Sequence, residues 1–289
     1  MTVQVNEFLA SAKVRVEAVL DRVVPPVTHT PGTLHEAMRY SLMAGGKRLR
    51  PGLCYAAFED CGGTGAAADW GAAALEMVHT FSLIHDDLPC MDDDDFRRGM
   101  PTCHKKFGEA MAVLAGDALS ILAFQVLARA GSAPAISVLA DALGSDGMLG
   151  GQVVDIQSEG KPCTLETVDY IHVHKTSALI EASLELGAVL AGANEERRKL
   201  YRDYGRAIGL AFQIVDDILD IESSTEELGK DVGSDVENQK ATYPAVVGLA
   251  ESKKRARELV NQALELTTRM GVRGPVLADL ARFIVERGN

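Results

Sequence analysis

Six carboxylates crowd into ten residues at Asp86-Asp87-Leu88-Pro89-Cys90-Met91-Asp92-Asp93-Asp94-Asp95, and Arg97 and Arg98 follow almost at once. Mutual repulsion makes such a cluster unfavourable unless a cation sits in it. Oxygen donors suit a hard divalent ion, and Mg²⁺ commonly takes one or two carboxylates together with substrate phosphates. The forked donors of Arg97 and Arg98 suit phosphate oxygens. A run of like charge is ordinarily a solvated loop, but a second cluster downstream argues against that. In Phe212-Gln213-Ile214-Val215-Asp216-Asp217-Ile218-Leu219-Asp220, Asp216, Asp217 and Asp220 interrupt an apolar helical pattern. Residues four apart share a helix face, so Asp216 and Asp220 point the same way. Two carboxylates on an apolar face are costly unless paired or metal-bound. The two sets together suggest several Mg²⁺ ions gripped around one polyphosphate.

The elements that must hold these residues are helices. Hydrophobic residues make up 47% of the 289 positions but aromatics only 5%, and the abundance of Ala and Leu favours helix. No segment alternates with period two over a useful length, so the fold class is all-α, a helical bundle around a deep central cavity. Helical spacing covers 4–24, 33–43, 52–61, 66–88, 105–130, 135–157, 172–191 and 205–221, and the remainder from Tyr243 also reads as helix. Pro89 ends or kinks the helix carrying Asp86 and Asp87, so Asp92 must return from the following loop. Carboxylates at a helix C-terminus oppose the macrodipole, and a site is the reason to keep them there. The polar stretch 222–241 is long for a structureless connection, and such loops are often lids.

The net charge of −12 argues against nucleic acid as a partner. Five scattered cysteines without zinc-ligand spacing point to reduced thiols and a cytoplasmic setting. The N-terminus, with Glu7 and Lys13, shows no apolar signal core. The most apolar windows, 110–130 and 176–193, are broken by Asp117 and by Glu181 and Glu185, and read as buried helices rather than membrane spans. Asp117 reads as a structural partner, Gln152 and Asp155 as either site-facing or structural, and His172 and His174 as packing or surface residues. His85-Asp86 alone also fits a metal phosphohydrolase, a reading that leaves the second cluster unexplained.

The two aspartate motifs resemble the signatures of the trans-prenyl diphosphate synthases. The resemblance extends to Gly45-Gly46-Lys47-Arg48-Leu49-Arg50-Pro51, Lys175-Thr176, Phe212-Gln213, Gly229-Lys230-Asp231 and Lys240-Ala241-Thr242-Tyr243-Pro244. Within that family the chain most resembles the bacterial type of farnesyl diphosphate synthase. The resemblance implies the isoprenoid synthase fold in one domain over 1–289, a homodimer, and three Mg²⁺ ions held by Asp86, Asp87, Asp92, Asp216, Asp217 and Asp220. It implies condensation of isopentenyl diphosphate, held by Gly46, Lys47, Arg50, His79 and Arg98, with an allylic diphosphate held by Arg97, Lys175, Lys230 and Lys240. Thr176 and Gln213 would face the allylic carbon as neutral dipoles, a need any allylic cation has. Phe81 lies five residues, roughly 7.5 Å, before Asp86 along the helix. A bulky residue there, beside small Ser82 and with two extra residues in the first motif, implies a fifteen-carbon product. The alternatives are a geranylgeranyl diphosphate synthase, differing only in cavity depth, and a non-catalytic prenyltransferase subunit. Against a terpene cyclase stand the second aspartate motif and the second basic set. Arg282 and Arg287 are basic candidates near the second substrate, with no role assigned.

Overall fold

The computed structural model describes residues 3–222 and 242–286. Lys230, Lys240 and Arg287 therefore lie outside the described residues. In chain order the helices are α1 (Val3–Val23), α2 (Gly32–Leu42), α3 (Leu49–Asp60), α4 (Ala67–Asp86), α5 (Cys103–Phe107), α6 (Glu109–Leu127), α7 (Ala133–Leu143), α8 (Met148–Ser158), α9 (Leu165–Ile171), α10 (Ala178–Leu190), α11 (Glu195–Glu222), α12 (Tyr243–Val247), α13 (Leu249–Thr267) and α14 (Gly274–Glu286). The all-α class expected from composition holds.

At the centre stand α3, α4 and α10, which are buried nearly all round. Small residues let them approach. A Cβ added at Gly187 of α10 would fall on the Cys54 carbonyl of α3, and one at Gly71 of α4 would strike Leu190 of α10. Around this core the amphipathic helices α11, α13 and α14 bury one face each. Both aspartate motifs fall at helix C-terminal ends, the first closing α4 and the second in the last two turns of α11.

Four departures from the sequence reading bear on the site. The segment 105–130 is two helices parted at Gly108, whose φ of +86° no side-chain-bearing residue adopts easily. The segment 135–157 is likewise two, α7 and α8, separated by Gly144–Gly147. Between α9 and α10, residues His172–Ser177 form a π-helical turn, the wide winding often found at functional positions. Finally, the aspartate loop ends in a two-residue hairpin pairing Phe96–Arg97 with Met100–Pro101. Arg98 and Gly99 at its tip have φ of +55° and +75°, the paired positive values of a turn matched to the strand twist. It is too short to leave an alternating pattern in the sequence.

The apolar segment 109–130 is long and apolar enough to cross a membrane by composition alone. One of its faces packs on α4 and α2, so it is a layer of the bundle. Contrary to the expectation of full burial, its other face leaves Val113, Leu114 and Ile121 exposed.

Candidate active site

The first motif closes on itself. After Asp87 the chain turns at Leu88-Pro89, and the Asp92 amide donates to the Asp86 carbonyl at 2.8 Å, bringing Asp92 back to the end of α4. Burial, with the charges of Asp92 and Asp87, pushes the Asp86 carboxyl up to about 6 against the opposing pull of Lys175 and Arg97. Such a carboxylate gains from any cation brought to it. Asp87 is differently employed. It is 3% exposed and takes the Arg97 guanidinium at 2.5–2.6 Å, with Asp94 as that arginine's further partner at 3.2 Å.

The second motif shows the same division. Asp217, also buried, accepts from the Tyr243 backbone amide at 2.8 Å and from the Gln213 amide at 3.1 Å, and lies 3.2 Å from His172 Nε2. Asp220 is 2% exposed, and neither of its carboxylate oxygens has a hydrogen-bond partner. An uncompensated buried charge is strongly unfavourable, and a bound cation removes the penalty. Among the described residues no three acids converge on one point.

The π-helical turn joins the two motifs. Lys175, at the first, donates to Asp155 of α8 at 2.5 Å and lines one cavity with Asp86. Next to it, the Thr176 hydroxyl donates to the Gln213 carbonyl oxygen at 2.8 Å, and Gln213 sits one turn before Asp217. The amide orientation follows from this network. The hydroxyl lone pairs of Thr176, which also lines the cavity, remain available to it.

That cavity, of about 370 Å³, is lined by one aspartate of the two motifs, Asp86, and walled by the apolar side chains of Phe81, Leu83, Met148 and Leu179. Phe81 is 7% exposed, its ring edge-on to His85. Ser82, which also lines the cavity, turns its hydroxyl back onto the His79 carbonyl at 2.9 Å. A larger open groove of about 750 Å³, between α7, α10 and α11, shares none of these site residues.

The basic residues meet at a second edge of the cavity. Arg50 and His79 line it. Arg50 Nε is buried and unpartnered, and burial brings this guanidinium down to about 10, helped by Arg98 and opposed by Glu76. Burial, reinforced by Arg50, Arg98, Arg97 and Arg48, drives His79 well below the ordinary imidazole value. Arg98 donates to the Gly45 carbonyl and lies against Gly46, where a Cβ would come within 2.9 Å of its guanidinium. Lys47 is exposed, its ammonium 5.5 Å from the Phe283 ring of α14. Arg282 pairs with Asp279 on the same helix.

Four contributions escaped the sequence. Asp155, left undecided there, is the partner of Lys175. His172, read as packing or surface, touches Asp217. Arg48 turns inward, and Glu76 receives it at 2.5 Å. Glu76 had left a usable signal, a lone acid in the apolar run Ala72–Val78.

The polyprenyl synthetase family profile matches residues 31–271. The chain belongs to that family. It is 47% identical over 290 residues to the geranylgeranyl diphosphate synthase of Cyanophora paradoxa, covering 98% of this chain and 96% of that protein. It is 49% identical over 288 residues to the large subunit 1 of a heterodimeric geranylgeranyl pyrophosphate synthase of Arabidopsis thaliana, covering 95% and 77%. Among solved structures it superposes on an FPP/GFPP synthase from Zymomonas mobilis with a TM-score of 0.87, at 37% identity over 99% of this chain and 100% of that one. The homologues are trans-prenyl diphosphate synthases, the bundle is the all-α fold of isoprenoid synthases, and the protein is a prenyltransferase.

Proposed function

We propose that this prenyltransferase condenses isopentenyl diphosphate head-to-tail with allylic diphosphates and stops at the twenty-carbon geranylgeranyl product. The observation that carries the reaction is one apolar-walled cavity lined both by Asp86, Lys175 and Thr176 and by Arg50 and His79. Two anionic headgroups thus have separate seats over one greasy channel. The twenty-carbon product replaces the fifteen-carbon expectation on two supports. The relatives that are 47–49% identical are named for geranylgeranyl diphosphate. Ser82, which lines the cavity beside Phe81, is small and turns its hydroxyl to the His79 carbonyl, so in this reading one ring and not two stands in the way of the growing chain.

In this reading Asp86, Asp92, Asp216 and Asp220 hold magnesium, and the three-ion count is part of the proposal. Asp87 and Asp217, satisfied by protein donors, hold Arg97 and the start of α12 in place. Bound Mg²⁺ would supply Lewis-acid stabilisation of the departing pyrophosphate. Lys175 and Arg97 add positive charge on the same side, where preorganised donors are worth most. Thr176, fixed by Gln213, presents oxygen lone pairs to the allylic carbon as its C–O bond breaks. The double bond of isopentenyl diphosphate, held by Lys47, Arg50, His79 and Arg98, forms the new C–C bond, and a proton leaves with the pyrophosphate. Lys230 and Lys240 remain expected ligands of the allylic diphosphate. The exposed apolar side chains Val113, Leu114 and Ile121 of α6, with Leu149 and Val153 of α8, support a homodimer through this face.

Phe81→Ala tests where the channel ends. Removing the ring is expected to move the main product beyond twenty carbons in chromatography of the extracted lipids. An unchanged distribution would show that Phe81 does not limit the chain.

A further inference from the structure

Three cations occupy the four residues from Lys47 to Arg50, and the structure gives them different tasks. Lys47 is exposed and Arg50 lines the cavity, but the Arg48 side chain is 0% exposed. Its donors are taken from below by three other helices. Nη1 meets Glu76 Oε1 of α4 at 2.5 Å, Nη2 donates to the Leu42 carbonyl of α2 at 2.8 Å, and Nε donates to Glu17 of α1 at 3.2 Å. Arg48 is also the residue that starts α3, with φ of +51°, a left-handed conformation an arginine adopts only when its surroundings impose it. Each of its three nitrogens already has a partner, and its enclosure keeps the guanidinium from an incoming anion.

We propose that the buried Arg48–Glu76 pair is a positioning device: it fixes the turn between α2 and α3 so that Lys47 and Arg50 face the isopentenyl diphosphate seat. Glu76 has a second part in it. The Arg48, Arg50 and Arg98 guanidiniums gather around His79, and like charges so close repel in the absence of substrate. Glu76, 3% exposed, is the carboxylate set beneath them. Its charge acts on Arg50 and Arg98 as well as on its direct partner. The pair therefore keeps the nest assembled while it is empty, and diphosphate enters a site that is already formed. This inference rests on the substrate reading above.

The test compares Glu76→Gln, Glu76→Asp and the double variant Arg48→Met/Glu76→Leu with the unaltered protein, by melting temperature and by the KM of each substrate at saturating Mg²⁺. Glu76→Gln is expected to lower the melting temperature and to raise the KM for isopentenyl diphosphate about tenfold or more, with the allylic KM held within about twofold. Glu76→Asp keeps the charge and should shift the same KM by a smaller factor. The double variant separates positioning from simple support of the fold. Replacing both members of a buried ion pair by apolar residues is often neutral or stabilising, so its melting temperature should recover while the KM for isopentenyl diphosphate stays high. Recovery of both together overturns the proposal, as does a KM unchanged in every soluble variant or one that rises equally for both substrates. If Glu76→Gln fails to fold, the other two decide. An unaltered protein that does not consume isopentenyl diphosphate overturns the substrate reading instead.

Discussion

That both aspartate clusters are candidate ligand groups is legible from residue type and spacing, because carboxylates at helical intervals in an apolar run have few other uses. Which of them remain available to a ligand is not, because that depends on donors from distant elements. Asp87 and Asp217 look equivalent to their neighbours in the sequence, yet Asp87 takes Arg97 and Asp217 the Tyr243 amide as hydrogen-bond donors. Arg48, given no role in the sequence, has a left-handed backbone and a side chain buried against Glu76. His79 shows the same dependence in its charge. Burial and the surrounding arginines hold its imidazole well below the ordinary value. A base so shifted is neutral at pH 7 and donates a hydrogen bond without a charge. Its contribution to stability is present above the unfolded-state value and lost as pH falls through the lowered one. Histidine NMR of the free protein should find His79 neutral at pH 6.5, with bound diphosphate raising its pKa. Protonation of half or more of the ring at pH 6.5 in the free protein would show that the cation nest is not assembled.

Long helices with strong periodicity, α1, α4 and α11, were read from the sequence, although α11 begins ten residues before the expected start. The breaks at Gly108 and Gly144–Gly147 were not, since an isolated glycine inside an apolar run is compatible with helix. The sequence reads His174-Lys175-Thr176-Ser177 as opening or interrupting a helix but does not show the π-helical winding, because the extra residue it accommodates leaves the residue types unchanged. That turn depends on a close neighbour: a Cβ added at Gly151 of α8 would fall on the Lys175 backbone nitrogen. Overpacking of this kind typically costs about 1–3 kcal/mol, through displaced backbone. Gly151→Ala is therefore expected to move Lys175 and Thr176 and to lower kcat by about tenfold or more, since small misplacements at a reacting centre are expensive. Steady-state kinetics beside a melting curve checks this, and a stable variant with unchanged kcat would contradict the bridging role of the turn. The outward face of α6 carries a separate expectation. Ile121 is 69% exposed, and if the proposed homodimer forms through this face, Ile121→Asp should leave a monomer in light scattering. A dimer that survives the substitution must use another face.

At the scale of the whole molecule the all-α class and the family follow from the two aspartate motifs and the helical composition. Product length does not follow from them. Phe81 alone suggested a closed floor at fifteen carbons, but depth is set jointly by residues from α4, α6, α8 and α10 that the sequence does not show to be neighbours. The π-helical turn links α4 and α11: Lys175 lines a cavity with Asp86 of α4, and Thr176 bonds to Gln213 of α11; in the proposed function that cavity takes the growing chain. The most direct test is to incubate the purified protein with isopentenyl diphosphate and, in turn, the five-, ten- and fifteen-carbon allylic diphosphates, with Mg²⁺ and with the metal chelated. Products are then sized by mass spectrometry. The twenty-carbon diphosphate should accumulate from all three primers with Mg²⁺ and from none after chelation. A product that ends at fifteen carbons would contradict the channel described for Phe81 and Ser82, and no condensation at all would contradict the catalytic reading of the site.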